Sequence, residues 1–174
     1  MPLTPAADAD LEAVAALVNS AYRGETSRQG WTTEADYLDG QRTDAETLRQ
    51  QLASDPNAVL LTWRDDPEGP LLGTAWLEPA GTDAWYLGMV TVRPDLQARQ
   101  LGRTVLAGAE AEVAARGGAK VVLTVVHIRD TLIAWYERRG YRLTGETRPF
   151  PYGDEALGIP RRDDLSFVVL EKML

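Results

Sequence analysis

The sequence contains no cysteine, which excludes disulfides, thiolate metal sites and a cysteine acyl-enzyme. It has a single histidine, His127, so multi-histidine metal sites are excluded as well. Cations are in the minority: 18 lysines and arginines stand against 26 aspartates and glutamates, for a net charge of −8. That balance argues against a nucleic-acid backbone as partner, which rewards clustered Lys and Arg; it is compatible with a cationic substrate. No apolar run approaches the roughly 18 residues of a membrane span. The opening "MPLTPAADAD" lacks the basic region and apolar core of a secretory signal. The expectation is a cytoplasmic protein without a metal, a membrane or a nucleic acid as partner.

What is present is an ordinary globular composition, 174 residues with 44% hydrophobic, enough for one domain with a sizeable core. "ADADLEAVAALVNSAYR" reads as an amphipathic helix, with Asp8 or Asp10 as N-cap and Leu11, Val14, Leu17, Val18 and Ala21 at spacings of three and four. The polar, glycine-dotted stretch from Gly24 to Asp44 is too long for a plain connector and reads as a functional loop. "DAETLRQQLASDPN" is a second short helix, stopped before Pro56. The period then changes. "AVLLTWR", "LLGTAWLE" and "AWYLGMVTV" are strand-like runs split by the turns "DDPEGP" and "PAGTD", which predicts an antiparallel meander. Leu101 to Arg116 is helical and ends at Gly117–Gly118. "KVVLTVV" reads as a strand covered on both faces. "RDTLIAWYERRG" is a helix closed by Gly140, and "YRLTGETRPF" and "LSFVVLEKML" are two final strands. With a weak first strand at Met1 to Thr4, the order β-α-α-β-β-β-α-β-α-β-β makes one α/β domain with a mixed sheet.

The segment "RPDLQARQLGRTVL", Arg93 to Leu106, carries the clearest functional signal. It leaves the C-terminal end of a strand, where open α/β sheets place ligands. It runs straight into a helix whose first amides lack partners and whose dipole end is positive. Arg99 and Arg103 flank it. A phosphate seat and a plain strand-to-helix turn with solvated arginines both fit these features.

The order of elements and this segment together resemble the GNAT superfamily of N-acetyltransferases, whose signature is Gln/Arg-x-x-Gly-x-Gly/Ala after a strand ending Val-x-Pro. Val92 and Pro94 match, Gln97 takes the first place and Gly102 the last, Ala98 sits where a further glycine is common, and Gln100 replaces the middle glycine. A second family feature, Tyr-x-x-x-Gly-Tyr/Phe at a helix end, is found in "WYERRGY" as Tyr136, Gly140 and Tyr141. The resemblance covers nearly the whole chain. It implies a single N-acetyltransferase domain over residues 1–174, an α/β (α+β) fold with a twisted, mixed, mostly antiparallel sheet of about seven strands and about four flanking helices. It also implies acetyl-coenzyme A as co-substrate, without a metal, and direct acetyl transfer to an amine. Backbone N–H groups hold the pyrophosphate in such loops, and glycine is needed only where φ is positive or a side chain would strike the ligand. Gln100 is therefore expected at an ordinary φ with its side chain turned away, or else the loop departs locally in shape.

The resemblance also distributes roles. Met89, Val90 and Val92 lie along the cofactor arm, with the Val90 amide nearest the thioester. Gln97, Ala98, Arg99, Gln100, Leu101, Gly102 and Arg103 form the pyrophosphate turn. Tyr136 aligns with a general acid; a phenol with pKa about 10 is within reach of a thiolate whose acid lies near 8.5. Arg129 stands where relatives often carry asparagine, and Tyr86 where many carry a glutamate base. An alkyl ammonium near pKa 10.4 costs about 4.6 kcal/mol to deprotonate at pH 7, and water held by Glu78, Tyr86 or His127 is the proposed route for that proton. The loops 28–44 and 150–164 are expected to flank the acceptor. Trp31, Glu34, Asp36 and Asp39 suit a cationic amine, with Tyr86 and His127 nearby; Arg161 and Arg162 suit a carboxylate. Zwitterions, polyamines and peptide amines all stay open, as do a monomer and a homodimer. Gln100, Arg129 and the missing strand glutamate leave room for a non-catalytic coenzyme A-binding module. An ATP or NAD fold is disfavoured, since the chain has neither fingerprint.

Overall fold

The computed structural model describes residues 3–174. The predicted first strand lies partly outside them; the strand that forms is β1, Thr4–Pro5. A 3-10 turn at Asp8–Asp10 leads into α1, Leu11–Tyr22. Asp10 does not cap forward: its carboxylate reaches back to the Ala7 amide at 2.8 Å. The long polar loop holds one helical turn, α2 (Gly24–Ser27), and a two-residue strand, β2 (Leu38–Asp39). Next is α3, Ala45–Ser54, capped by the Asp44 carboxylate on the Thr47 amide. The meander is β3 (Val59–Trp63), β4 (Gly73–Pro79) and β5 (Ala84–Val92), antiparallel as expected. Then come α4 (Leu101–Ala115), β6 (Lys120–Val126), α5 (Asp130–Glu137), β7 (Arg142–Pro149), β8 (Ile159–Pro160) and β9 (Ser166–Met173).

Seven strands form one mixed sheet in the order β1-β3-β4-β5-β6-β9-β7, and β2 pairs with β8 apart from it. Alternate residues of β3 and β4 enter two different cores. Val59, Leu61, Ala75 and Leu77 pack with Val105, Ala109 and Val113 of α4. Leu60 and Trp76 pack with Leu11, Val14, Val18 and Leu48 of α1 and α3. Helices thus cover both faces of the meander, which is why its strands carry few polar residues. Each fully buried aliphatic side chain here contributes about 1.5–3 kcal/mol.

β6 departs from its expected burial. Val121, Leu123 and Val125 are buried, but Lys120, Val122 and Thr124 on the opposite face are only half-buried. That face borders a cavity. The β2–β8 pair, absent from the sequence reading, joins the two loops expected to flank an acceptor. Arg23 strengthens the join by donating to the Leu157 carbonyl, and the Arg161 amide donates to the Tyr37 carbonyl at 2.9 Å.

Candidate functional site

β5 and β6 run parallel but pair only from Ala84–Lys120 to Tyr86–Val122. Beyond that point they part, β5 continuing to Val92 and β6 to Val126. β5 also carries a bulge: Thr91 pairs with Thr74 and Gly88 with Trp76, so three steps on β5 face two on β4. Met89 absorbs the extra residue at φ +47°. The bulge inverts the strand's alternation. Trp85 and Leu87 belong to the α4 core, and so do Val90 and Val92 after it, whereas Tyr86 and Met89 pack toward α1. Two hydroxyls fix the peptide groups around Val90. Thr91 donates to the Met89 carbonyl at 3.0 Å and Tyr22 donates to the Val90 carbonyl at 2.6 Å.

Past Val92 the chain makes a 3-10 turn, Pro94–Arg99, which includes Ala98, and then turns at Gln100 into α4. Gln100 has φ +62° and ψ 13°, so the expectation of an ordinary φ is wrong. The sharp change of direction between the two helices needs a left-handed residue, at a cost to glutamine of about 1–2 kcal/mol. Its side chain does turn aside, accepting from Arg103 at 2.9 Å along the first turn of α4. Gly102, by contrast, sits inside the helix, and a Cβ there would meet the Trp135 ring at 3.3 Å. Its glycine serves close approach rather than positive φ. Leu101 is half-buried and packs against the α4 core. Gln97 accepts from the Trp31 amide at 2.9 Å and donates to the Thr32 hydroxyl at 2.7 Å, drawing that loop over the turn.

A cavity of about 320 Å³ opens at this helix start, lined among others by Trp31, Gln97, Gly102, Arg103, Trp135 and Arg139. The Arg139 guanidinium lies 3.7 Å from the centre of the Trp135 ring, and its buried Nε has no hydrogen-bond partner. Burial lowers the pKa of Arg139, and the neighbouring charges of Arg103 and Arg138 lower it further. Arg103 and Arg139, without a carboxylate partner among the described residues, stand beside the start of α4, where the Arg103 amide donates to the Gln100 carbonyl at 3.0 Å. A cationic helix start of this kind favours an anion.

A second cavity of about 1040 Å³ runs along the parted strands. The two cavities share Val90, Leu132 and Tyr136. Tyr136 is 7% exposed and packs edge-on to Trp135 and Tyr141, with ring centres 5.0 and 5.4 Å away. It is at once a core residue and a wall of both cavities. Burial raises its pKa and holds the phenol protonated. Glu78 and Tyr86, cross-strand partners on β4 and β5, line the larger cavity. Glu78 accepts from the Trp76 indole at 2.8 Å, and the Tyr86 phenol lies 3.1 Å from the Thr124 hydroxyl, across to β6. Met89, Glu34 and Arg129 line it too. Glu34 is held between two buried guanidinium groups, Arg23 and Arg129, the latter at 3.1 Å. Arg129 also donates to the Thr32 carbonyl at 2.7 Å.

Several expected acceptor residues stand elsewhere. His127 lines neither cavity; its Nδ1 accepts from the Ser166 amide at 3.2 Å. Trp31 belongs to the smaller cavity, 6.1 Å from Trp135 between ring centres. Asp36 pairs with Arg28 at the surface, Asp39 faces Arg161 at 3.5 Å, and Arg162 pairs with Asp164. Arg99 is exposed and lines neither cavity. Conversely, Tyr22, Arg23, Arg42, Trp135 and Arg139 line the cavities without having been singled out. Adjacent arginines before Gly140 were the one available signal for Arg139.

Residues 15–141 match a family model described as the acetyltransferase (GNAT) family, a span that contains both motifs. No curated protein matches the sequence. Solved structures share the fold at low identity. A ribosomal-protein-alanine N-acetyltransferase from Brucella melitensis has a TM-score of 0.72 at 21% identity, covering 100% of both chains. The ribosomal-protein-S18-alanine N-acetyltransferase from Escherichia coli has 0.68 at 18%, over 98% of this chain and 92% of its own. An N-acetyltransferase from Staphylococcus aureus Mu50 has 0.69 at 13%, over 98% and 96%.

Proposed function

Since this chain belongs to the acetyltransferase (GNAT) family, we propose that it passes acetyl directly from acetyl-coenzyme A to an amine at the point where its two cavities meet. The shared wall of Val90, Leu132 and Tyr136 is the observation that carries this reading. It places a bulged strand, a buried phenol and a cationic helix start around one opening.

The residues present fit such a donor. The first turn of α4, Arg103 and Arg139 would hold its pyrophosphate; the orphaned Arg139 Nε is what such a group requires, and the missing Cβ of Gly102 lets the Trp135 ring pack close against that turn. The parted edge of β5 from Met89 to Val92 would take the extended arm by backbone pairing. When bound, acetyl-coenzyme A supplies an acetyl carbonyl activated as a thioester: the acceptor nitrogen bonds to that carbon, the carbon–sulfur bond breaks, sulfur leaves with the electron pair and gains a proton, and nitrogen loses one.

The Val90 amide polarises the carbonyl, in an orientation fixed by Thr91 and Tyr22; a pre-set donor of this kind contributes on the order of 3 kcal/mol. Tyr136 is protonated and holds the proton for the sulfur; the upward pKa shift that burial gives it opposes the transfer, which the developing thiolate beside it must offset. Glu78 and Tyr86 face the acceptor side and order the water through which the amine proton departs. Arg129, tied to Glu34 and Thr32, closes the wall between the cavities rather than touching the cofactor.

Thiol release from acetyl-coenzyme A across an amine panel, with wild type and Tyr136→Phe, tests this. Turnover should fall about 100-fold in the variant, with acetyl-coenzyme A affinity within about 2-fold. Equal turnover would remove Tyr136 from the reaction. Tight binding with no turnover on any amine would make the chain a coenzyme A-binding module.

A further inference from the structure

The charges around the larger cavity do not match the rest of the molecule. The chain as a whole carries −8, yet this cavity is lined by five cations and four carboxylates. At its far end the signs cancel: Arg148 pairs with Glu146 at 2.8 Å and Lys120 with Glu171 at 3.6 Å. At the end nearest Val90 they do not. Glu34 is the one carboxylate for two arginines, Arg23 and Arg129, both nearly buried. Arg23 still has an Nε with no partner.

Arg42 adds a further cation. Its backbone is pinned, since Asn19 of α1 accepts from the Arg42 and Thr43 amides at 2.7 and 3.2 Å and donates to the Thr43 carbonyl at 2.8 Å. Arg42 lines the cavity and forms no ion pair with a carboxylate among the described residues. Tyr22, which is bonded to the Val90 carbonyl, lines the same cavity as Arg129, Glu34 and Arg42. The acceptor side of the opening therefore carries a surplus of positive charge held by a rigid frame. Glu78, across from it, is the one lining carboxylate with no cation paired to it among the described residues.

A cationic amine alone would be repelled by this arrangement. We infer that the acceptor is a small zwitterion of the α-amino-acid kind, its carboxylate on Arg42 beside the Arg23–Glu34–Arg129 cluster and its ammonium toward Glu78. The inference rests on the acetyl-transfer reading and narrows it: a peptide N-terminus, which has an amide where the carboxylate stands, is disfavoured. Recognition comes from residues other than Arg161 and Arg162, which lie outside the cavity lining.

The test compares α-amino acids with their own amides and their decarboxylated amines, at saturating acetyl-coenzyme A, in wild type, Arg42→Met and Arg42→Lys. At least one amino acid should exceed both of its matched amines in kcat/KM by about 10- to 100-fold, the range of a charge-assisted contact. Arg42→Met should bring the ratio to within about 3-fold, mainly through KM, and Arg42→Lys should restore part of it. Amides or plain amines turned over as fast as the acids would overturn the zwitterion inference and leave acetyl transfer standing. So would a preference for the acid that survives Arg42→Met. If no amine is acetylated, acetyl transfer is what fails. Calorimetric binding of the same acids and amides to the coenzyme A-saturated protein then decides the subsite: tighter acids lost in Arg42→Met support it, and equal affinities overturn it.

Discussion

The Tyr22 phenol donates to the Val90 carbonyl at 2.6 Å, a bond from the end of the first long helix to the bulge of β5 across 68 residues of chain. It anchors the one irregular point of the central strand from the side opposite the α4 core. Tyr22→Phe keeps the ring and removes the anchor. kcat should fall about 10-fold while acetyl-coenzyme A affinity changes by less than about 3-fold, because the loss is in orientation of the Val90 amide. Steady-state kinetics with equilibrium binding checks this; a loss confined to affinity would place Tyr22 in the cofactor seat instead.

Gln100 holds a left-handed conformation that glycine adopts freely. Gln100→Gly trades a strain of about 1–2 kcal/mol for a backbone entropy cost of about 0.5–1 kcal/mol. The variant should be more stable by about 0.5 kcal/mol in urea denaturation and should bind acetyl-coenzyme A as tightly as wild type. A variant less stable than wild type would contradict the positive φ.

Arg139 lies on Trp135 with an unpartnered Nε and two arginines nearby. Arg139→Ala should weaken acetyl-coenzyme A binding about 10- to 100-fold, and the wild-type affinity should fall as salt is raised. Gly102→Glu should weaken binding more, since it adds bulk and negative charge where the anion sits. Unchanged affinity in both variants would move the pyrophosphate elsewhere.

Four tyrosines, Tyr22, Tyr37, Tyr136 and Tyr141, have pKa values raised first of all by burial. In the unfolded chain they ionise near pH 10. The folded state therefore keeps protons that the unfolded state loses, so this stability is complete below about pH 10 and declines as pH rises above it. Ultraviolet titration should show these phenols ionising together with loss of near-ultraviolet circular dichroism. Ionisation of all four before unfolding would show that they are not buried as described.

How far the sequence could be read depended on the signal each feature leaves. The meander was legible because β-branched runs end at strong turns, and Val59–Trp63 and Ala84–Val92 formed within the predicted stretches. The turn into α4 was legible through Gln97 and Gly102, but the conformation at Gln100 was not, because the residue type concealed the bend it had to make. The bulge at Met89 left no trace, since "AWYLGMVTV" is apolar at nearly every position and a change of alternation is invisible in it. β2 and β8 are too short to show a period. The loop charges were misjudged for a different reason. Glu34 finds its second arginine 95 residues away, and only the folded chain shows that Asp36 and Asp39 spend their charge on Arg28 and Arg161.

The most direct measurement is an amide nuclear magnetic resonance titration of the labelled protein with acetyl-coenzyme A. The largest shifts should fall on Leu101, Gly102 and Arg103 and, simultaneously, on Val90 and Val92, with the Tyr136→Phe variant giving the same pattern. Shifts confined to the surface loops, or a response at α4 without one at Val90, would contradict a cofactor seat that runs from the helix start to the bulged strand.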